Sequence, residues 1–345
     1  MSPGTSPAST TVEVDLLIVG AGPVGLYGAY YAGVRGLSVA VVDSLSQVGG
    51  QVTAMYPEKE IYDIAAIPVV TGRELVRGLV AQAGQYDPVY LLGQEAQELD
   101  RLVGEDGRER VVVRTSAGTE VTCGAVVVTG GIGTFTPRPL PAGEEFLGRG
   151  LDYFVPDTQE YVDKDVIVVG GGDSAIDWCL MLEPVAASVT LVHRRAAFRA
   201  HAASVEQVRA SSVEIVTDAQ VTALEGGEGV EKAVVTVKGE DVPRHLPCQQ
   251  VVAALGFTAN LGPLREWDVE LHDNRHLVVD SSMRTNVPGV FAAGDIADYP
   301  GKVRLIAVGF GEVATAVNNA AVHLDPDAQL FPGHSTDDPH AVPAA

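Results

Sequence analysis

The chain has 345 residues, 46% apolar and 20% charged, a balance that excludes disorder, and it holds no apolar run of 18 residues that would cross a membrane. Its 23 basic and 45 acidic residues leave a net charge of -22, which argues against general nucleic-acid binding because phosphates are held by a basic face. The length exceeds what one hydrophobic core serves well, so two domains are expected.

Residues 1–11 are rich in Ser, Thr and Pro and lack the basic start and apolar stretch of a signal peptide. They read as a disordered tail, with the cytoplasm as the expected address. An apolar strand at 16–19 then runs into Gly20, Ala21, Gly22, Pro23, Val24 and Gly25. Val24, Tyr27, Tyr31 and Val34 follow at helical spacing up to Gly36, and a β-branched strand spans 38–42. The same pattern recurs 150 residues later, from Gly20 to Gly170. There a strand at 166–169 leads into Gly170, Gly171, Gly172, Asp173, Ser174 and Ala175. A helical stretch through Ile176, Cys179 and Leu180 stops at Pro184, and a strand follows at 189–192.

Both copies read strand, G-x-G-x-x-G/A, helix, strand. The first glycine permits a tight turn, the second lets a pyrophosphate approach the main chain, and the third lets helix pack on strand. The helix N-terminus then faces the phosphates. Two dinucleotide-binding units are therefore expected.

The copies differ 23 positions after the first glycine, where one has Asp43 and the other His193, followed by Arg194 and Arg195. A carboxylate at that place accepts a ribose hydroxyl and repels a 2'-phosphate. Two guanidinium groups, with Arg199 one turn further on, suit a phosphate dianion. The plainer reading of the arginines is a solvated surface turn. The register match to Asp43 favours an NADPH site that prefers NADPH to NADH. The partner dinucleotide is then most simply FAD, the hydride acceptor, which makes the chain a flavoprotein oxidoreductase.

Apolar strands at 125–129, 250–255 and 290–293 each close on glycine and fit a first domain interrupted by the second. The pair Gly294-Asp295 reads equally as a turn or as a carboxylate placed near the flavin side of the pyrophosphate. Residues 305–324 are expected to form a helix whose start points its positive end at the flavin, with His323 a packing residue. Cys123, Cys179 and Cys248 are odd in number and widely spaced, which fits neither a disulfide framework nor a C-x-x-C metal site. No metal is expected.

These stretches, together with Val48-Gly49-Gly50-Gln51, Met55-Tyr56-Pro57-Glu58-Lys59, Phe198-Arg199-Ala200-His201, Ala292-Ala293-Gly294-Asp295 and His334-Ser335-Thr336, resemble the thioredoxin-reductase-type ferredoxin–NADP reductases over residues 12–338. The resemblance implies an α/β fold of two Rossmann-like three-layer nucleotide-binding domains. Residues 12–136 and 259–345 would form a discontinuous FAD domain, and residues 137–258 an inserted NADPH domain, the two expected to rotate about joints near 136 and 258.

For FAD the resemblance implies Gly20, Gly22, Pro23 and Gly25 at the phosphates and Asp43 on the ribose. Gln51 would lie along the cofactor, Tyr56 on one isoalloxazine face, and Gln97 would offer main-chain contact to the adenine. Phe135 and Asp295 would line the cofactor. His334 would stack on the other face with Ser335 and Thr336 beside it, contributed across a homodimer. For NADPH it implies Gly170, Gly172, Asp173, Ser174, Ala175, His193, Arg194, Arg195 and Arg199. The implied reaction is hydride transfer from NADPH to flavin N5, then single-electron steps to a ferredoxin, with no side chain acting as acid or base.

Thioredoxin reductases carry a C-x-x-C dithiol just ahead of the second nucleotide fold, where this chain reads Leu151-Asp152-Tyr153-Phe154-Val155-Pro156-Asp157. Disulfide reduction needs one thiol to attack and a second to resolve, so that reaction is excluded. Ferredoxins are themselves acidic, so a docking face calls for local basic residues, for which Arg35, Lys59, Arg138 and Lys302 are the candidates. A flavodoxin, a quinone or another acceptor would leave the same marks, as would a nucleotide sensor without turnover.

Overall fold

Strands Leu16–Val19 and Ala125–Val128 are apolar throughout, the composition of parallel strands covered on both faces. A computed structural model of the chain describes residues 10–104, 107, 109–155 and 157–334, and at 134–136 and 258–259 the main chain alone. It divides into two units, Met1–Thr134 with Ala259–Ala345, and Phe135–Thr258.

In the first unit five parallel strands lie in the order Val290–Ala292, Ala125–Val128, Leu16–Val19, Val39–Asp43, Val89–Leu92. Leu16, Leu17 and Ile18 are fully buried, each contributing about 1.5–3 kcal/mol. Helix α1, Pro23–Val34, follows the central strand and packs between α3, Gly72–Ala83, and α6, Ile306–Leu324. A Cβ on Gly28 would lie 2.7 Å from Val313 Cγ2, so a side chain there would push α1 off α6. A short helix α2, Gly50–Met55, precedes α3. The outer layer is a sheet in the order Thr11–Glu13, Glu120–Cys123, Glu109–Thr115, Ala96–Val103, mostly antiparallel.

The second unit repeats the parallel order with Leu151–Asp152, Gln250–Ala254, Asp165–Gly170, Ser188–Val192, Glu214–Val216. Helices α4, Asp173–Leu182, and α5, Ala202–Ala210, accompany it. Three antiparallel strands, Ala219–Glu225, Lys232–Val237 and Arg244–Pro247, form its outer layer. The edge strand comes from opposite chain directions in the two units: Val290–Ala292 follows its sheet, whereas Leu151–Asp152 precedes it.

The duplication extends to side chains. Asp15 accepts the hydroxyl of Ser38 at 2.6 Å, and Asp165 accepts that of Ser188 at 2.6 Å, tying the first strand to the second in each unit. No helix among the described residues is long and apolar enough to cross a membrane.

Candidate cofactor sites

The first glycine loop is closed by protein contacts at two of its three glycines. Gly20 has φ +116°, and a Cβ on it would lie 2.7 Å from the Thr129 carbonyl oxygen. A Cβ on Gly25 would lie 1.8 Å from the Gly20 carbonyl oxygen, which also accepts the Thr129 hydroxyl at 2.9 Å. Gly22 is different, because a Cβ there meets nothing within 4 Å. No protein contact demands a glycine at 22, and the open space above it is what a pyrophosphate at the α1 N-terminus requires. Gly22 caps α1 with no side-chain hydrogen bond and Pro23 opens the helix, so the first-turn N–H groups keep their capacity for an anion. By contrast α3 is closed by a capping box between Thr71 and Glu74.

Other elements gather on this loop. Asp43 accepts the N–H of Ala21 at 2.6 Å on one carboxylate oxygen and that of Leu45 at 2.8 Å on the other. Burial raises its pKa, and the two N–H groups oppose the rise. The Gly49 N–H donates to the Ala21 carbonyl at 2.8 Å, and a Cβ on Gly50 would lie 2.9 Å from the Gly22 Cα. The next residue, Gln51, carries its amide against Gly131. Tyr56 ends α2, and its pKa is raised by burial first and then by Asp295 and Asp63.

Asp295 lies in the turn after Val290–Ala292. Its carboxylate makes no hydrogen bond among the described residues, burial raises its pKa, and its carbonyl accepts His276 Nδ1–H at 3.1 Å. An acceptor left without a partner at a loop of open N–H groups fits a ligand rich in hydroxyls and phosphates, as FAD is. The Gln97 carbonyl accepts the Trp267 indole N–H at 2.9 Å. His334 sets its ring edge-on to Phe331, with centroids 5.1 Å apart. The side chain of Phe135, with Ser335 and Thr336, lies outside the described residues.

In the second unit a Cβ on Gly170 would lie 2.4 Å from the Ala254 carbonyl oxygen and 2.9 Å from Ala175 Cβ, whereas Gly172 again meets nothing within 4 Å. Gly172 caps α4 without a side-chain bond, and Ser174 is exposed in the first turn. The Asp173 carboxylate accepts the His201 N–H at 2.8 Å and so clasps the start of α5. His193 is 8% exposed. Its Nε2–H donates to the Ala197 carbonyl at 3.2 Å, and its ring stacks on Phe198 at 5.1 Å. Burial lowers its pKa, which keeps the imidazole neutral. The Arg199 N–H donates to the Gly171 carbonyl at 2.8 Å, so residues 193–199 fold back onto the glycine loop. Arg194, Arg195 and Arg199 are exposed, and their guanidinium groups find no acidic partner among the described residues. In a chain of net charge -22, three arginines without an acidic partner give the 193–199 loop the chemistry to receive an anion.

One expectation changes. Lys302, a candidate for a basic docking face, has a side chain only 2% exposed and is paired with Glu312. The stretch that lacks a dithiol is packed: Leu151 is fully buried and Phe154 stacks on Phe257 with rings 2° from parallel. The three cysteines are free and buried, and no cluster able to hold a metal occurs among the described residues. Sequence reading passed over Thr129, which holds the first glycine turn, since a threonine after an apolar strand carries no distinguishing signal. Glu312 did carry one, a lone acid inside the apolar run of α6.

Residues 14–320 match the family described as pyridine nucleotide-disulphide oxidoreductase. The chain is 61% identical to the ferredoxin–NADP reductase of Nocardioides sp. over 333 residues, covering 96% of this chain and 99% of that one. It is 62% identical to the ferredoxin–NADP reductase of Frankia alni over 324 residues, covering 94% and 99%. Among solved structures, thioredoxin reductase from T. acidophilum superposes with a TM-score of 0.74 at 25% identity, covering 92% of this chain and 99% of that one.

Proposed function

The chain belongs to the pyridine nucleotide-disulphide oxidoreductase family and, within it, to the ferredoxin–NADP reductases, and we propose how its own residues divide the work. It is a flavoenzyme that uses FAD and NADPH. The chemistry supplied by bound FAD is hydride acceptance from NADPH, followed by release of single electrons to the acceptor.

In this reading the first unit, Met1–Thr134 with Ala259–Ala345, is the FAD domain, and Phe135–Thr258 the NADPH domain. Gly20, Gly22, Pro23 and Gly25 bring the α1 N-terminus to the FAD pyrophosphate. Asp43 keeps lone-pair capacity for a ribose hydroxyl beyond the two N–H groups it already accepts. Tyr56 covers the ring and excludes water, Gln51 and Asp295 accept or donate along the chain of hydroxyls, and the main chain at Gln97 meets the adenine. In the second unit Gly170, Gly172, Ser174 and Ala175 shape the NADPH pyrophosphate cradle, and Asp173 and His193 hold the loops around it. Arg194, Arg195 and Arg199 take the 2'-phosphate. No side chain moves a proton at the reacting atoms; the protein's contribution is to bind, orient and exclude water.

The observation that carries this division is the pair of glycine loops in one register, one backed by Asp43 and the other by His193 with three unpaired arginines. Ferredoxin as acceptor follows the names of the relatives. A homodimer, with His334, Ser335 and Thr336 reaching the neighbour's flavin, belongs to the same reading, supported by Leu330 and Phe331, 52% and 60% exposed just ahead of that tail. The test is a visible spectrum of the purified protein, anaerobic titration with NADPH and NADH, and cytochrome c reduction with and without ferredoxin. A flavin spectrum bleached by NADPH, with cytochrome c reduced only when ferredoxin is added, supports the reading. A protein that stays colourless after incubation with FAD rejects it. The net charge of -22 favours a second reading, a less acidic acceptor, and bleaching by NADPH without ferredoxin-dependent turnover would select it.

A further inference from the structure

Among the described residues of the first unit, the most heavily committed buried carboxylate belongs to no cofactor contact named above. Glu312, on α6, is 5% exposed and accepts four hydrogen bonds: the Gly294 N–H at 2.8 Å, the Tyr299 hydroxyl at 2.6 Å, and Lys302 Nζ at 2.5 and 2.6 Å on its two oxygens. Lys302 Nζ lies 5.5 Å from the Tyr299 ring centroid, and the hydrogen bond to Glu312 pushes the Tyr299 pKa up to about 12. Desolvating both ions costs as much as their attraction returns, so such a pair adds little stability by itself, while removing one partner strands a buried charge.

What the pair does hold is a turn. Gly294, at φ +79°, is where the first turns of α1 and α6 meet the end of strand Val290–Ala292. A Cβ on Gly294 would lie 3.2 Å from Val24 Cγ2, and one on Gly309 would lie 3.3 Å from the Gly294 Cα. Glu312 fixes the N–H of Gly294, one residue before Asp295, and His276 fixes the carbonyl of Asp295 itself. The main chain on either side of the Asp295 carboxylate is thus held by two side chains, and the charges of Lys302, Arg304, Glu312 and His276 act on that carboxylate.

We propose that Glu312 and Lys302 are positioning residues for the flavin-side carboxylate Asp295. Glu312 sets the Gly294-Asp295 turn, and Lys302 balances its charge so that neither perturbs the reduction of the flavin. The proposal rests on the reading that Asp295 faces FAD. A reduced flavin gains negative charge, so a lone cation left at this place favours reduction and a lone anion opposes it. A merely structural pair would move both single variants alike.

The experiment is the reduction equilibrium of FAD in the holoenzyme, measured against a reference dye at pH 7, for Asp295→Asn, Glu312→Gln, Lys302→Met and the Glu312→Gln/Lys302→Met double variant. Glu312→Gln is expected to shift the equilibrium roughly tenfold toward reduction, about 30 mV for a two-electron couple, and Lys302→Met to shift it by a similar factor the other way. The double variant is expected to return to within about threefold of the parent. An unmoved equilibrium in Asp295→Asn refutes the placement of Asp295 beside FAD. A moved one, with the single variants unshifted or shifted in the same direction, refutes the proposal alone. Glu312→Asp keeps the charge but withdraws it from Gly294, and it decides the matter where a single variant gives no folded holoenzyme. Its FAD dissociation constant is expected to rise roughly tenfold with the equilibrium unchanged, and an unaltered FAD affinity overturns the positioning role.

Discussion

The imidazole of His193 occupies the space into which any side chain at position 171 would project. A Cβ built on Gly171 would lie 2.1 Å from His193 Cε1 and 2.3 Å from Nδ1. The equivalent residues of the first unit meet through a hydrogen bond instead, the Ala21 N–H to the Asp43 carboxylate. The same two positions therefore brace the glycine loop in both units, once by a charged acceptor and once by a packed ring. Replacing the acid also removes the charge that would repel a 2'-phosphate.

That relationship separates two glycines that look alike in sequence. Gly171→Ala is expected to lower stability by about 1–3 kcal/mol, because the His193 ring must move against Phe198. Gly172→Ala, with nothing within 4 Å of the new methyl, is expected to melt within a degree or so of the parent and to raise the NADPH KM roughly tenfold or more. Thermal melts beside NADPH titrations check both, and equal melting losses in the two variants would contradict the open cradle.

Arg194→Ala is expected to raise the NADPH KM by roughly tenfold to a hundredfold, since a charge-assisted hydrogen bond contributes about 1.5–3 kcal/mol, and to leave NADH use nearly unchanged. Steady-state kinetics with the two nucleotides read this directly. An equal loss with both would remove the 2'-phosphate assignment.

Tyr56→Ala is expected to weaken FAD retention roughly tenfold through lost stacking and burial. Flavin content after gel filtration and the visible band shape measure it. A fully flavinated, spectrally unaltered product would end the stacking role.

His193, His276 and His323 all have pKa values lowered chiefly by burial. The unfolded chain therefore takes up protons first, so the stability these neutral rings provide is complete above about pH 6.5 and falls as the pH drops below it. Melting temperature is expected to decline between pH 7.5 and 5.5, and less steeply in His193→Gln. A variant with the parent's pH slope would show that His193 does not contribute.

The thiols of Cys123, Cys179 and Cys248 are each pushed up to about 12 by burial. None is a thiolate near neutral pH. Aromatic disulfide reagents are expected to find essentially no thiol in the native protein and three after denaturation, and insulin disulfides to remain intact in the presence of NADPH.

The two glycine loops were readable because their requirements are local. A tight turn, an approach to phosphate and a helix packed on a strand are met within six consecutive residues. Strands 16–19 and 166–169 were equally plain, since burial on both faces leaves no polar position. The outer sheets were not read. Lys232–Val237 alternates buried and half-buried positions while Ala96–Val103 is mostly exposed, and such strands take their meaning from the faces they cover, which a linear order does not show.

Lys302 illustrates the same limit. It looked like one more surface lysine, and only the packing of α6 against the turn at Gly294 makes it a buried counter-ion of Glu312. Asp173 stands in the glycine loop by sequence, and only folding brings its carboxylate onto the N–H of His201, 28 residues on. Leu151–Asp152 carried no strand signal of its own and gains its place by pairing with Val251 and Val252, about a hundred positions away.

Chain order alone settled which dinucleotides the protein can hold, because backbone geometry and the charge at one strand end are short-range properties. Folding decided which polar groups remain free to meet them. A buried polar group must find a partner somewhere in three dimensions, and where folding leaves lone-pair or donor capacity unused, as at the Asp295 carboxylate, that capacity remains open to a ligand.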